Sequence, residues 1–232
     1  MSSSQHVLLF PFMAKGHIIP LLQFGRILLN RHLTVTVVTT PGNRPFMEES
    51  LAGTAASIVT IPFSNLTVPG VECTDKLPSK SLFYDFALST DSMQPHFEQA
   101  LEALPRVSFM VTDSFLWWTL QSANKFKIPW FTFCPMSCYC MAVMRVATVE
   151  GVFSGSQPKD ELVELTQFPW IRVCKDDVEA EFKNMEAGDV ASEFHMKIIG
   201  TSSNSYGMVQ NSFYELEPAF VDYLNSNSNS SY

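Results

Sequence analysis

From His6 to Glu150, stretches suited to buried strands alternate with stretches suited to helices, and that alternation constrains the fold more than any other feature. His6 to Phe12 is an almost unbroken apolar run, as a strand covered on both faces of a parallel sheet would be. From His17 to Leu29 the spacing becomes helical: Ile18, Leu21, Leu22, Gly25, Leu28 and Leu29 share one face, and Pro20 is placed in the first turn. Leu33 to Thr39 is a β-branched second strand stopped at Pro41-Gly42, and Ile58 to Phe63 a third. An amphipathic stretch from Ser81 to Leu104 is split or kinked at Pro95. Val107 to Thr112 then reads as a strand, Ser114 to Lys127 as a helix and Ile128 to Phe133 as a strand. Ser137 caps a helix that runs to Glu150. This is the pattern of a doubly wound, mostly parallel α/β sheet. Beyond Gly151 it weakens: Asp160 to Thr166 and Asp177 to Ile199 suggest helices, Gly207 to Asn211 a last strand, and Asn225 to Ser231 a disordered Asn/Ser tail. The expected division is therefore a domain over 1–224 and a tail over 225–232.

Composition removes several classes of function. A formal charge of −8 gives no basic surface for nucleic acid or anionic lipid. The uncharged run from Ile128 to Met144 contains two prolines and falls short of the ~20 residues of a membrane span. No secretory signal precedes the first strand, and the five cysteines are an odd number, so a reducing, cytoplasmic setting is expected. Cys134, Cys138 and Cys140 lack zinc-site spacing and lie among aromatic and Met residues, which points to core packing. No G-x-S-x-G elbow is present, and the first strand–helix turn carries only Gly16 where a dinucleotide site needs G-x-G-x-x-G. A Rossmann-type oxidoreductase thus remains only as a weak alternative.

That same turn holds His17 at the mouth of a helix, where a lone histidine could equally be a capping or surface residue. With the strand order 3-2-1-4-5, strands 1 and 4 are neighbours, and ligands bind beyond their carboxyl ends. His17 would then meet Asp113, which follows strand 4 and could also cap the next helix. A 2-1-3-4-5 order would keep the two apart.

Three segments resemble plant family-1 UDP-glycosyltransferases: FPFMAKGHIIPLLQFGRIL from Phe10, MVTDSF from Met110 and QNSFYELEP from Gln210. Lys15 and Gly25 stand where many of that family carry Gln and Ala. The resemblance implies the Rossmann-like, acceptor-binding N-terminal half of a GT-B enzyme, with His17 as general base and Asp113 as its partner. The reaction it implies is inverting transfer of a sugar, glucose being the expected one, from a UDP-sugar co-substrate to a small apolar hydroxylated acceptor such as a flavonoid or other phenol. No metal and no cofactor are needed. Phe12, Phe115 and Met136 become candidate walls of the acceptor pocket, while Phe83, Trp117, Trp118, Trp130 and Tyr139 are expected in the core. Gly16 and His17 form the helix mouth nearest the phosphates.

A phenol (pKa ~10) and a neutral imidazole (~6.5) differ by ~3.5 units or ~4.8 kcal/mol, so proton transfer has to accompany bond formation. The donor-binding signature of the family, rich in Trp, His, Gly and acidic residues, is not found after Tyr214. The expectation is a chain that holds an acceptor, is inactive alone, and resembles in that respect a silent binding module. A helix mouth contributes ~0.3–1 kcal/mol toward an anion, against ~4 kcal/mol for even millimolar affinity, so no measurable UDP-sugar binding is expected.

Overall fold

A computed structural model describes residues 5–153, 158–177 and 189–227. Its strands are β1 (His6–Phe10), β2 (Thr34–Thr39), β3 (Ser57–Thr60), β4 (Phe109–Asp113), β5 (Trp130–Cys134), β6 (Val163–Leu165), β7 (Phe168–Val173) and β8 (Met208–Gln210). Its α-helices are α1 (Lys15–Asn30), α2 (Arg44–Ser50), α3 (Phe83–Ser89), α4 (Gln94–Ala103), α5 (Thr119–Phe126), α6 (Cys138–Val149), α7 (Val190–Ser202) and α8 (Pro218–Ser226). Six strands form one parallel sheet in the order β3-β2-β1-β4-β5-β8, the expected order with one more strand on the β5 edge.

Alternation along β1 explains the two-sided burial. Leu8 and Phe10 point into one apolar cluster with Val38, Met110, Trp118 and Trp130. Val7 and Leu9 point into the other with Ile18, Leu21, Leu22, Val35 and Val37. Helix α1 lies close on the second face because Gly25 has no side chain: a Cβ there would stand 2.9 Å from Leu9 Cδ1. Two buried indoles of the first cluster are paired, whereas Trp117 Nε1, at its margin, has no hydrogen-bond partner. Trp130 Nε1 donates to Thr112 Oγ1 (2.7 Å) and Trp118 Nε1 to Thr90 Oγ1 (3.1 Å), so both indoles bury their rings without an orphaned N–H.

Several local expectations are corrected. Helix α1 begins at Lys15, since the Ala14 carbonyl accepts both His17 N–H and Ile18 N–H at 2.9 Å. Pro20 therefore sits inside the helix, and the carbonyl its N–H would have met belongs to Gly16, which is exposed to water. Residues 114–118 are turns, and α5 starts only at Thr119, because Ser114 N–H bonds back to the Phe133 carbonyl (2.9 Å) and holds the chain on the sheet. The stretch 160–166 contains a strand: Leu165, Phe168, Ile171 and Val173 are buried along an antiparallel β6–β7 hairpin, and their spacing of three, three and two gives no period of two that would mark strands. Over 177–199, α7 is observed, and 178–188 lie outside the described residues. Asn225 and Ser226 end α8, and the remainder of the expected tail, 228–232, also lies outside them. The expected break near Pro95 is present as a 3-10 turn, Thr90–Met93, between α3 and α4.

A third apolar cluster joins α6, the β6–β7 hairpin and α8. It is fastened by Glu217, 7% exposed, whose carboxylate accepts the N–H groups of Cys138 (3.0 Å) and Tyr139 (2.6 Å) and a bond from Ser212 Oγ. With Ser137 Oγ accepting Cys140 N–H (3.1 Å), three of the four orphan donors at the start of α6 are satisfied. Glu217→Ala strands these buried donors and is expected to lower stability by about 1–3 kcal/mol in urea unfolding. A change under about 0.5 kcal/mol would show that the carboxylate is not a cap.

Candidate functional site

The β1–β4 pairing sets Phe10 beside Thr112, so the turn leaving β1 and the end of β4 open at the same edge of the sheet. His17 is the third residue of α1 and Asp113 the last residue of β4. His17 Nδ1 and Asp113 Oδ2 stand 2.8 Å apart, although 96 positions separate the two residues. The Asp113 side chain is fully buried, and that of His17 keeps 15% of its surface exposed. The second carboxylate oxygen, Oδ1, accepts the Phe115 N–H at 3.0 Å. Asp113 thus caps the turn that follows it, not a helix, and does so with the oxygen His17 leaves free.

A carboxylate only accepts, so Nδ1 of a neutral His17 carries the proton and the Nε2 lone pair is available for an incoming hydroxyl. The imidazole is held in a frame of aromatic rings. Phe12 lies 5.4 Å and Phe115 4.8 Å from it, centroid to centroid. Phe12 in turn meets Phe83 at 6.1 Å, Phe86 at 6.0 Å and Phe115 at 5.3 Å. Phe12 and Phe86 are buried, while Phe83 and Phe115 are half-buried. The His17–Phe115 contact is tilted at 48° and the others are edge-on, which favours a rigid wall of defined shape.

Of the residues singled out in the sequence, the structure brings Phe12, His17, Asp113 and Phe115 together. Gly16 is exposed at the helix mouth, with no atom within 4 Å of the place a Cβ would take. Met136 stands 43% exposed in the turn before α6, outside the cluster that holds Phe12 and Phe115. Tyr139, expected in the core, is 44% exposed near the start of α6, with its ring edge-on to Phe220 at 5.1 Å. Phe83 was expected only as core, and Phe194 of α7 was not anticipated at all; it meets Phe83 at 6.1 Å and Phe115 at 5.1 Å. Its helix carries one buried side chain, so periodicity gave no signal.

The remaining candidates are accounted for. Burial pushes the Cys134 thiol up to about 12 and also raises Cys138 and Cys140, so these groups stay protonated at neutral pH. Cys73 is raised to about 11, first by burial and then by its bond to Asp75. Among the described residues no three His, Cys, Asp or Glu side chains gather as a metal site, and no helix is long and apolar enough to cross a membrane. The Lys15–Asp75 pair (3.2 Å) beside the helix mouth is exposed and contributes little.

Comparison with known proteins places this geometry. No family model matches the chain. It is 48% identical to UDP-glycosyltransferase 90A1 and 43% identical to UDP-glycosyltransferase 90A2, both of Arabidopsis thaliana, over 95% and 94% of its own length. It covers 48% and 49% of those two proteins, so the chain spans about half the length of the curated relatives it matches. Among solved structures, UGT73P12 of Glycyrrhiza uralensis, complexed with glycyrrhetinic acid 3-O-monoglucuronide, superposes with a TM-score of 0.83 at 19% identity, covering 99% of this chain and 48% of that one. UGT89C1 of Arabidopsis thaliana, complexed with quercetin, gives 0.68 at 22% identity, covering 97% and 48%. At such identities the structures establish the fold alone, a Rossmann-like half of the GT-B architecture.

The tautomer is checkable in the chain as it stands. Nitrogen NMR of the wild type is expected to show the proton on His17 Nδ1. In Asp113→Asn the amide oxygen can keep the Phe115 N–H while its NH2 faces Nδ1, so the proton should move to Nε2. An unchanged tautomer in that variant would mean that Asp113 does not orient the imidazole.

Proposed function

We infer that this chain, which is related to the plant UDP-glycosyltransferases over essentially its whole length, binds the acceptor and supplies the base for sugar transfer from a UDP-sugar to a small apolar hydroxyl compound. The observation that carries the reading is the 2.8 Å contact between His17 Nδ1 and the buried Asp113 carboxylate, at a sheet edge walled by phenylalanines. An acceptor ring resting on the half-buried Phe115 and Phe83 would present its hydroxyl to His17 Nε2. As the oxygen attacks the anomeric carbon, its proton passes to Nε2 and UDP leaves from the opposite face, inverting that centre. Asp113 stabilises the imidazolium that forms and keeps the ring from turning. The sugar is expected to be glucose and the acceptor a flavonoid or other phenol, since flat aromatic ligands suit a wall of edge-on rings. Quercetin in the UGT89C1 complex supports a phenol, and the UGT73P12 complex holds a different ligand, glycyrrhetinic acid 3-O-monoglucuronide.

The division of labour assigns uracil, ribose and diphosphate contacts to the part of the relatives that this chain does not span. Among the described residues, this half offers toward phosphate the exposed helix mouth at Gly16 and His17. The test is to join the chain to the corresponding remainder of UDP-glycosyltransferase 90A1 and assay glucose transfer from UDP-glucose to phenols. His17→Ala should cut turnover by about 10²–10⁴ while leaving the fold intact, because a polar residue at a helix mouth leaves no core cavity. Near-normal turnover would make another residue the base. Acceptor binding without transfer in the unmutated fusion would favour a silent binding module.

A further inference from the structure

Helix α7 lies across the turn that leaves Asp113, and it does so through two side chains one turn apart. Phe194 is its buried residue, 1% exposed, whereas Met196 and Ile199 on the same helix are 67% and 62% exposed. The Phe194 ring packs edge-on against Phe115 at 5.1 Å, Phe83 at 6.1 Å and Tyr84 at 5.8 Å. Three residues on, Lys197 Nζ sits 4.2 Å above the ring of Trp117. Phe115 lies 4.8 Å from the His17 ring and, like Phe83, is half-buried, so Phe194 packs against two rings of the surface an acceptor would touch.

The geometry points to Phe194 as the residue that sets how deep an acceptor can sit in front of His17, an assignment that rests on the acceptor reading above. With Phe194 in place, Phe115 and Phe83 cannot retreat, because close-packed rings have no void to move into. An acceptor in front of Nε2 would then meet a wall held in place. Removing the ring would let the two walls give way and admit a bulkier acceptor. Phe194 touches neither the dyad nor the reacting atoms, so its effect is on selectivity and not on the proton transfer itself.

Calorimetric titration of the full chain with two probes, 4-nitrophenol and quercetin, tests this on the wild type, Phe194→Ala and Phe194→Leu. The leucine variant keeps an apolar anchor for α7, so loss of the fold in the alanine variant would not leave the question open. The expected result is a shift of the affinity ratio toward quercetin by about tenfold or more in Phe194→Ala, and by less in Phe194→Leu. If both phenols bind and the ratio stays within about twofold in both variants, Phe194 is only an anchor for α7 and the proposal is wrong. If neither phenol binds to any of the three proteins, the acceptor reading itself fails, and this assignment with it.

Discussion

Parallel pairing of β1 with β4 is the constraint from which the site follows. Because Val7, Leu8, Leu9 and Phe10 run in register with Phe109 to Thr112, the two strands end together and their following turns share one edge. Strands 2 and 3 lie to one side of this pair and strand 5 to the other, so the chain reverses its winding there and leaves a crevice. Asp113 enters that crevice fully buried, which is tolerable only because both of its oxygens are occupied, one by His17 and one by the Phe115 N–H. The same bonds that orient the imidazole therefore also pin the turn carrying Phe115. Chemistry and wall are fixed by one carboxylate.

Much of this was legible in sequence because the signals are local. An apolar run followed by helical spacing identifies β1 and α1, and a histidine at that junction is placed by the topology alone. Asp113 could be paired with it once the strand order was assumed, since both termini of a parallel βα unit lie on a predictable edge. What escaped was non-local or too short. Phe194 comes from a helix with a single buried side chain, so no periodicity marks it. The β6–β7 hairpin is two short strands, and in the second the exposed pair Pro169 and Trp170 breaks the alternation of buried residues. Glu217 lies within the resembling segment Gln210 to Pro218, but its role as a cap for α6 depends on a contact 79 positions away.

The chain spans about half the length of the curated relatives it matches. Among the described residues that half holds the His17–Asp113 pair beside a cluster of aromatic rings. Under the proposed reading, acceptor selectivity is the property to study in it, independent of turnover. The wall is layered. Phe12 and Phe86 are buried at its base, Phe83 and Phe115 give it faces, and Phe194 closes it from behind. The rings come from the turn after β1 (Phe12), α3 (Phe83 and Phe86), the turn after β4 (Phe115) and α7 (Phe194), so Phe83, Phe86 and Phe194 lie off the β1–β4 junction.

The central claim is that a phenolic hydroxyl meets Nε2 of His17. Nitrogen NMR of the specifically labelled chain, titrated with quercetin, measures that contact directly. The account predicts that the Nε2 resonance of His17 shifts saturably while Nδ1, held by Asp113, changes little. Saturable binding that leaves His17 Nε2 unmoved would contradict it, for the acceptor would then lie elsewhere on the protein.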